Sequence, residues 1–141
     1  MKKFSLLLAA TSLMAGCAVP INYHQRDAAD PQRYTFPDTR QTVIVSGFID
    51  RSYSGERSTF DGSVSGAGNV ELTVAINGST ALRGTLNGNP FSGNFSGNVT
   101  GGKWEGHSVT AICTGTRKSR DWTDVKCPVL IDDQQVAELH F

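Results

Sequence analysis

The stretch Phe91-Ser92-Gly93-Asn94-Phe95-Ser96-Gly97-Asn98-Val99 constrains the fold of this 141-residue chain more than any other. Phe91, Gly93, Phe95, Gly97 and Val99 fall on one side of an extended backbone, and Ser92, Asn94, Ser96 and Asn98 on the other. That is the two-residue period of a strand. Large side chains alternating with absent ones on one face suit a strongly curved strand or the interior of a narrow barrel. The same period runs through Val70, Leu72, Val74 and Ile76, which alternate with Glu71, Thr73 and Ala75. Asn77-Gly78 and Asn87-Gly88 each supply two residues that tolerate a positive φ, so both predict tight hairpin turns. Between them Leu82, Gly84 and Leu86 share a face.

Of the 15 glycines, all but Gly16 lie between Gly47 and Gly115, and no long helical period appears there. Gly101-Gly102 is read as a turn into residues 103–117, where Val109, Ala111 and Cys113 share a face. Residues 118–121 form the next turn, and Val125, Cys127, Val129 and Ile131 the returning face. Residues 132–135 turn into a last strand with Ala137, Leu139 and Phe141 inward; an Asp-led helical turn is the alternative for that tail. With residues 42–50 and 57–66 added, the pattern predicts an all-β fold of about eight short antiparallel strands. It is either an up-and-down barrel or a two-sheet sandwich, which periodicity does not separate. A membrane-spanning barrel would need an apolar outward band. The faces opposite the apolar ones carry Ser, Asn, Thr and Glu instead.

The N-terminus has a different texture. Lys2 and Lys3 precede an apolar run from Phe4 to Leu13, broken only by Ser5, Thr11 and Ser12. The run is shorter than the roughly 20 residues a permanent span needs, so it reads as a cleaved export signal. Leu13-Met14-Ala15-Gly16-Cys17 resembles the lipobox of bacterial lipoproteins, with Met14 where Leu is usual and Leu13 one place earlier. The resemblance implies that Cys17 is lipidated and becomes the first mature residue, which links the chain to a membrane through its N-terminal lipid. Ala18, rather than Asp, follows the cysteine, which implies sorting to the outer membrane. The expected organisation is a signal peptide over 1–16, a lipidated N-terminus and extended tether over 17–40, and the β domain over 41–141. The tether is read from Pro20, Pro31 and Pro37 and from scattered charge without apolar period. Alternatively Tyr23, Tyr34 and Phe36 pack as an arm or dock on a partner.

Export places Cys113 and Cys127 in an oxidising compartment, where pairing is the default. A hairpin centred near Arg120 sets these two positions opposite each other on the apolar face. Closing a loop of about 15 residues stabilises by roughly 3 kcal/mol in the chain-entropy model.

Charge excludes some functions. Without Lys2 and Lys3, 11 basic residues face 13 acidic ones, and no charge block points to nucleic acid. Arg117, Lys118 and Arg120 read as a solvated turn. Nucleophile-elbow, Walker, HExxH and EF-hand motifs are missing. The Gly/Asn-rich residues 84–102 contain no Asp for calcium. His24, His107 and His140 are isolated in sequence, and His107, in phase with Val109, is either buried or exposed by a bulge. No catalytic residue, metal ligand or cofactor is expected.

Trp104 and Trp122 fall out of phase with the apolar faces of their strands. A bulge at Gly106 would bring Trp104 inward; otherwise the pair covers a rim or anchors a partner. Trp104, Trp122, Tyr23 and Tyr34 are therefore the candidate protein-binding residues. The expected function is that of a non-catalytic outer-membrane lipoprotein whose β domain binds another envelope or extracellular protein. Secretion, conjugation or pilus assembly and receptor masking are the duties that fit. The alternatives are an inhibitor of a lysozyme or protease, or a small-ligand or lipid carrier with Phe91, Phe95 and Val99 lining its pocket. Oligomeric state is not set by these features.

Overall fold

A computed structural model of the chain describes residues 18–86, 95–119 and 122–141. Cys17, the Asn87-Gly88 turn, Phe91 and Arg120 lie outside the described residues. The fold is all-β, with nine strands: β1 (Ala18–Ala28), β2 (Gln32–Thr35), β3 (Thr42–Ser58), β4 (Val64–Ile76), β5 (Ser79–Leu86), β6 (Phe95–Trp104), β7 (His107–Ser119), β8 (Trp122–Ile131) and β9 (Gln134–His140). They form two antiparallel sheets. The first runs β1-β3-β4-β5, with β2 also paired to β3, and the second runs β6-β7-β8-β9. No helix among the described residues is long and apolar enough to cross a membrane.

Each sheet buries the alternate residues that the period marks. Val43, Val45, Ile49, Val70, Leu72, Val74 and Ile76 of the first sheet are fully buried. Val109, Val129 and Leu139 of the second are likewise fully buried. Asn77 and Gly78 take φ of 51° and 82°, as the hairpin reading requires. Asn77 also ties β3 to the turn: its Oδ1 accepts the Ile44 N–H at 2.9 Å and its own N–H donates to the Ile44 carbonyl at 2.9 Å.

The two sheets meet along two seams of different chemistry. At the β5–β6 seam the backbones approach closely. A Cβ on Gly84 would lie 2.5 Å from Val99 Cγ1, and one on Gly102 would lie 2.5 Å from the Ala81 carbonyl oxygen. Val99 thus fills the space that Gly84 leaves, as core packing. At the other seam a side chain stands in for a strand. Gln32 of β2 accepts the Glu138 N–H of β9 at 2.9 Å through Oε1, and its Nε2 donates to the Glu138 carbonyl. One amide thereby satisfies both backbone groups of an edge residue, which burial would otherwise leave unpaired.

Three local expectations are corrected, and one alternative is decided. Residues 18–35 are not a free tether: β1 pairs with β3 from Ala18↔Ser58 to Ala28↔Phe48, and β2 from Gln32↔Val45 to Thr35↔Thr42. Pro31 sits in the break between these edge strands and Pro20 lies within β1, the positions proline tolerates in a sheet. Gly101-Gly102 lies inside β6, and the turn is Glu105-Gly106, with φ of 46° and 80°. Residues 57–66 are not a strand of their own. They are the ends of β3 and β4 with the turn between them. The tail is the expected last strand, β9, entered through Asp132-Asp133 at φ of 48° and 66°, rather than the alternative helical turn.

Candidate functional site

Three turns converge at one end of the molecule. The β2–β3 loop closes on itself through Phe36 N–H to the Gln41 carbonyl and Arg40 N–H to the Phe36 carbonyl, both 2.8 Å. This folds Phe36 back over the second sheet, where its ring stacks on Trp104 at 6.2 Å and 5°. Tyr34 meets Phe36 edge-on at 5.1 Å. Gln134 Nε2 donates to the Tyr34 hydroxyl, joining β9 to β2 a second time.

Trp104 reaches this position because of an extra residue. The β6–β7 register shifts between Val99 and Gly102, where Gly101 adopts a φ of 84°. One inserted residue moves every following side chain to the opposite face. Trp104 is therefore inward and 8% exposed. The expected bulge exists, but before Trp104 and not at Gly106.

Trp104 also stacks against His107 at 5.9 Å and 28°. His107 is an exposed residue of the β6–β7 turn, and its Nδ1 donates to Asp132 Oδ2 at 2.5 Å. Asp132 Oδ1 accepts the Ser108 N–H at 2.9 Å, and the Asp132 N–H donates to the Ser108 carbonyl at 2.9 Å. The His107 ring first, and the Ser108 N–H second, hold the Asp132 carboxyl below the usual carboxylate range. The arrangement stitches the β6–β7 turn to the β8–β9 turn. Both carboxylate oxygens and one ring nitrogen are committed to that stitch.

These turns enclose a cleft of about 170 Å³. Phe36, Trp104 and Ile131 give it apolar walls; Asp38, Asp132, Gln41 and Gln134 give it acids and amides. That combination suits a side chain with an apolar stem and a cationic head. The volume admits a single side chain rather than a folded segment.

The remaining candidate residues are dispersed. Cys113 and Cys127 form a disulfide with Cα atoms 4.2 Å apart, on the buried face between Ala111↔Val129 and Thr114↔Lys126. Tyr34 does not line the cleft itself; it packs edge-on against Phe36 and accepts from Gln134, both of which do. Tyr23 lies far along β1, 38% exposed, in a shallow groove with Tyr53 and His24, and its hydroxyl donates to Gln25 Oε1. Trp122 begins β8, and its side chain lies outside the described residues, as does that of Phe95. The structure thus links Trp104 and Tyr34 through Phe36, with His107 against Trp104, and leaves Tyr23 apart. Among the described residues no group of three His, Cys, Asp or Glu side chains gathers where a metal ion could be held.

Sequence reasoning missed Arg51. It is 5% exposed, with Nε 3.3 Å from Asp27 Oδ2 and a guanidinium N–H donated to the Thr123 carbonyl at 3.2 Å. Asp27 also accepts from Gln25 at 2.8 Å. Arg51 therefore bolts β1 and β3 of one sheet to β8 of the other. The signal was present: Arg51 falls in phase with Val45 and Ile49, a charge on an apolar face. Asp38 and Gln134 also escaped, because only the tertiary fold brings their turns together.

Set against known proteins, the chain matches no protein-family model, no curated protein and no solved structure.

Proposed function

We infer that this chain is a bacterial lipoprotein, held at the outer membrane by an acylated Cys17, whose β domain binds another envelope protein without catalysis. The cleft walled by Phe36 and Trp104 is the binding site, and a basic side chain of the partner is its occupant. One observation carries the reading. Ala18, the residue after the lipobox cysteine, pairs with Ser58 at one end of β3, while the cleft borders Thr42 at the other. A 17-residue strand separates them, a span of about 55 Å. A membrane-held N-terminus leaves the cleft facing away from the lipid. Anchoring in the plane raises the effective concentration of the cleft near membrane partners.

Several features favour a binding role. His107 is bound to Asp132 and stacked on Trp104, so the one His–carboxylate pair in the cleft serves the turns. The disulfide ties β7 to β8 within the second sheet and Arg51 ties the first sheet to it, and rigid sites lose less freedom on binding. The test places a photoreactive residue at Thr39, on the cleft lip, and at Glu71, on the outer face of the first sheet, in cells carrying the full chain. A discrete protein adduct from position 39 and none from position 71 is expected. Equal adducts from both, or none from position 39, would sink the cleft as the binding site.

A further inference from the structure

Beyond Arg51 the first sheet outruns the described residues of the second. Residues 18–24, 52–58 and 64–69 remain paired as a three-stranded ribbon, yet most of their side chains are half-buried or exposed. The ribbon ends in the β3–β4 turn, which is closed by Ser58 N–H to the Ser63 carbonyl at 2.8 Å and Gly62 N–H to the Ser58 carbonyl at 3.0 Å. At its apex Phe60 is 89% exposed. Beside it the Asp61 carboxylate turns back to accept the Ser63 N–H at 2.9 Å, and that bond above all keeps it ionised below the usual carboxylate range. The acid is occupied within the turn, and among the described residues the phenyl ring is the most exposed large hydrophobic group.

The register specifies what accompanies it. Val19, Arg57 and Val64 lie directly across from one another on three adjacent strands, so they share a face. Both valines are about half exposed, at 49% and 50%. A cation between two exposed aliphatic side chains, below an exposed phenyl ring, is the composition of a surface that meets phospholipid. The ring and valines enter the acyl boundary, and the guanidinium stays with the phosphates. Ala18 is paired to Ser58, two residues from Phe60. Cys17 is one residue further, about 3.8 Å in Cα position. An acyl chain on Cys17 therefore leaves no slack between the bilayer and this tip.

We propose that the β3–β4 tip, with Phe60 at its apex and Val19, Arg57 and Val64 behind it, is a second membrane contact. It seats beside the acylated Cys17, so that the ribbon is a rigid stalk between lipid and domain. This rests on the lipoprotein reading of Cys17. Seven residues of strand beyond Arg51 hold the two-sheet body roughly 20 Å above the headgroups. One lipid signal alone allows a domain to swivel; a second contact fixes which end faces the bilayer.

The experiment uses the mature lipidated chain in phosphatidylethanolamine–phosphatidylglycerol vesicles. Acylation of Cys17 is first established from the mass of the N-terminal peptide. With Cys17 acylated and Cys113 paired to Cys127, an introduced thiol is unique. An environment-sensitive fluorophore is attached to S63C, beside the retained Phe60, or to S79C at the start of β5, across from Ile76 at the far end of β4. Nitroxide-labelled phosphatidylcholine is expected to quench position 63 and not position 79, and Phe60→Asp to abolish the quenching at 63. Acylated protein with equal, weak quenching at both positions overturns the tip contact and leaves the anchor standing. Protection of position 63 from aqueous iodide without nitroxide quenching places the tip against another copy of the chain, and also overturns it. A chain without acyl groups on Cys17 overturns both the anchor and the seated tip.

Discussion

Along β3 the inward side chains run Val43, Val45, Gly47, Ile49 and Arg51, all buried, and then Tyr53, Gly55 and Arg57, which are not. The backbone pairing does not change at this boundary: β3 keeps β1 on one side and β4 on the other from Phe48 to Arg57. What changes is the second layer. Over the first half of β3, side chains from β7, β8 and β9 complete a core; beyond the Arg51 bolt to Thr123 no side chain of the ribbon is buried among the described residues. The comparison separates two contributions that usually travel together. Hydrogen-bonded strand pairing is enough to shape the ribbon, but burial against a second sheet is what stabilises the body.

The contrast is sharpest in paired substitutions on a single strand. Leu72 and Val64 both lie on the inward face of β4, one fully buried in the body and the other half-exposed on the ribbon. Leu72→Ala removes core volume and is expected to cost about 2–5 kcal/mol. Val64→Ala is expected to stay within about 0.5 kcal/mol. Urea unfolding of the two variants provides the check. A loss at Val64 as large as that at Leu72 would show that the ribbon belongs to the same packed core.

How much of this was legible in the sequence follows from the same division. The body was readable where one face is buried, since Val70 to Ile76 and Val109 to Ile131 keep a strict period and their hairpins carry Asn77-Gly78 or a disulfide. Pairing of Cys113 with Cys127 follows from position and export chemistry together. The ribbon was not readable, because a strand without a covered face has no burial to enforce alternation. Val19, Ile21 and Tyr23 do alternate, but Pro20 and the charges around them read as linker. The cleft was half readable. Trp104 and Tyr34 stood out as aromatics, whereas the Gly101 bulge that turns Trp104 inward, and the loop that lays Phe36 on it, depend on contacts between sheets. Glu105 at φ 46° hid the true turn, since a glutamate is an unusual residue for that position.

A smaller effect is expected where body and ribbon join. Asp50 of β3 receives Arg26 of β1 through two hydrogen bonds, at 2.8 and 3.1 Å, with His24 3.3 Å away. The Arg26 hydrogen bond is the main reason the Asp50 carboxyl sits below its ordinary range. A carboxyl whose pKa is depressed by folding stabilises above its unfolded value, and that increment fades as pH falls through the depressed value. Acidification below the ordinary carboxylate range is therefore expected to loosen β1 from β3, seen as faster proteolysis within residues 18–28. Asp50→Asn should show that loosened behaviour already at neutral pH and lose the pH dependence. A variant with wild-type pH response would remove Asp50 from the account.

Amide hydrogen exchange along β3 in the folded domain tests the division between body and ribbon most directly, because one strand crosses it. Amides from Val43 to Arg51 are expected to exchange only when the whole domain unfolds. Those over 52–58 are expected to exchange orders of magnitude faster, through local opening of a ribbon whose side chains are half-buried or exposed. Uniform protection from Val43 to Ser58 would contradict the account, because it would mean that the ribbon is covered and held as firmly as the core.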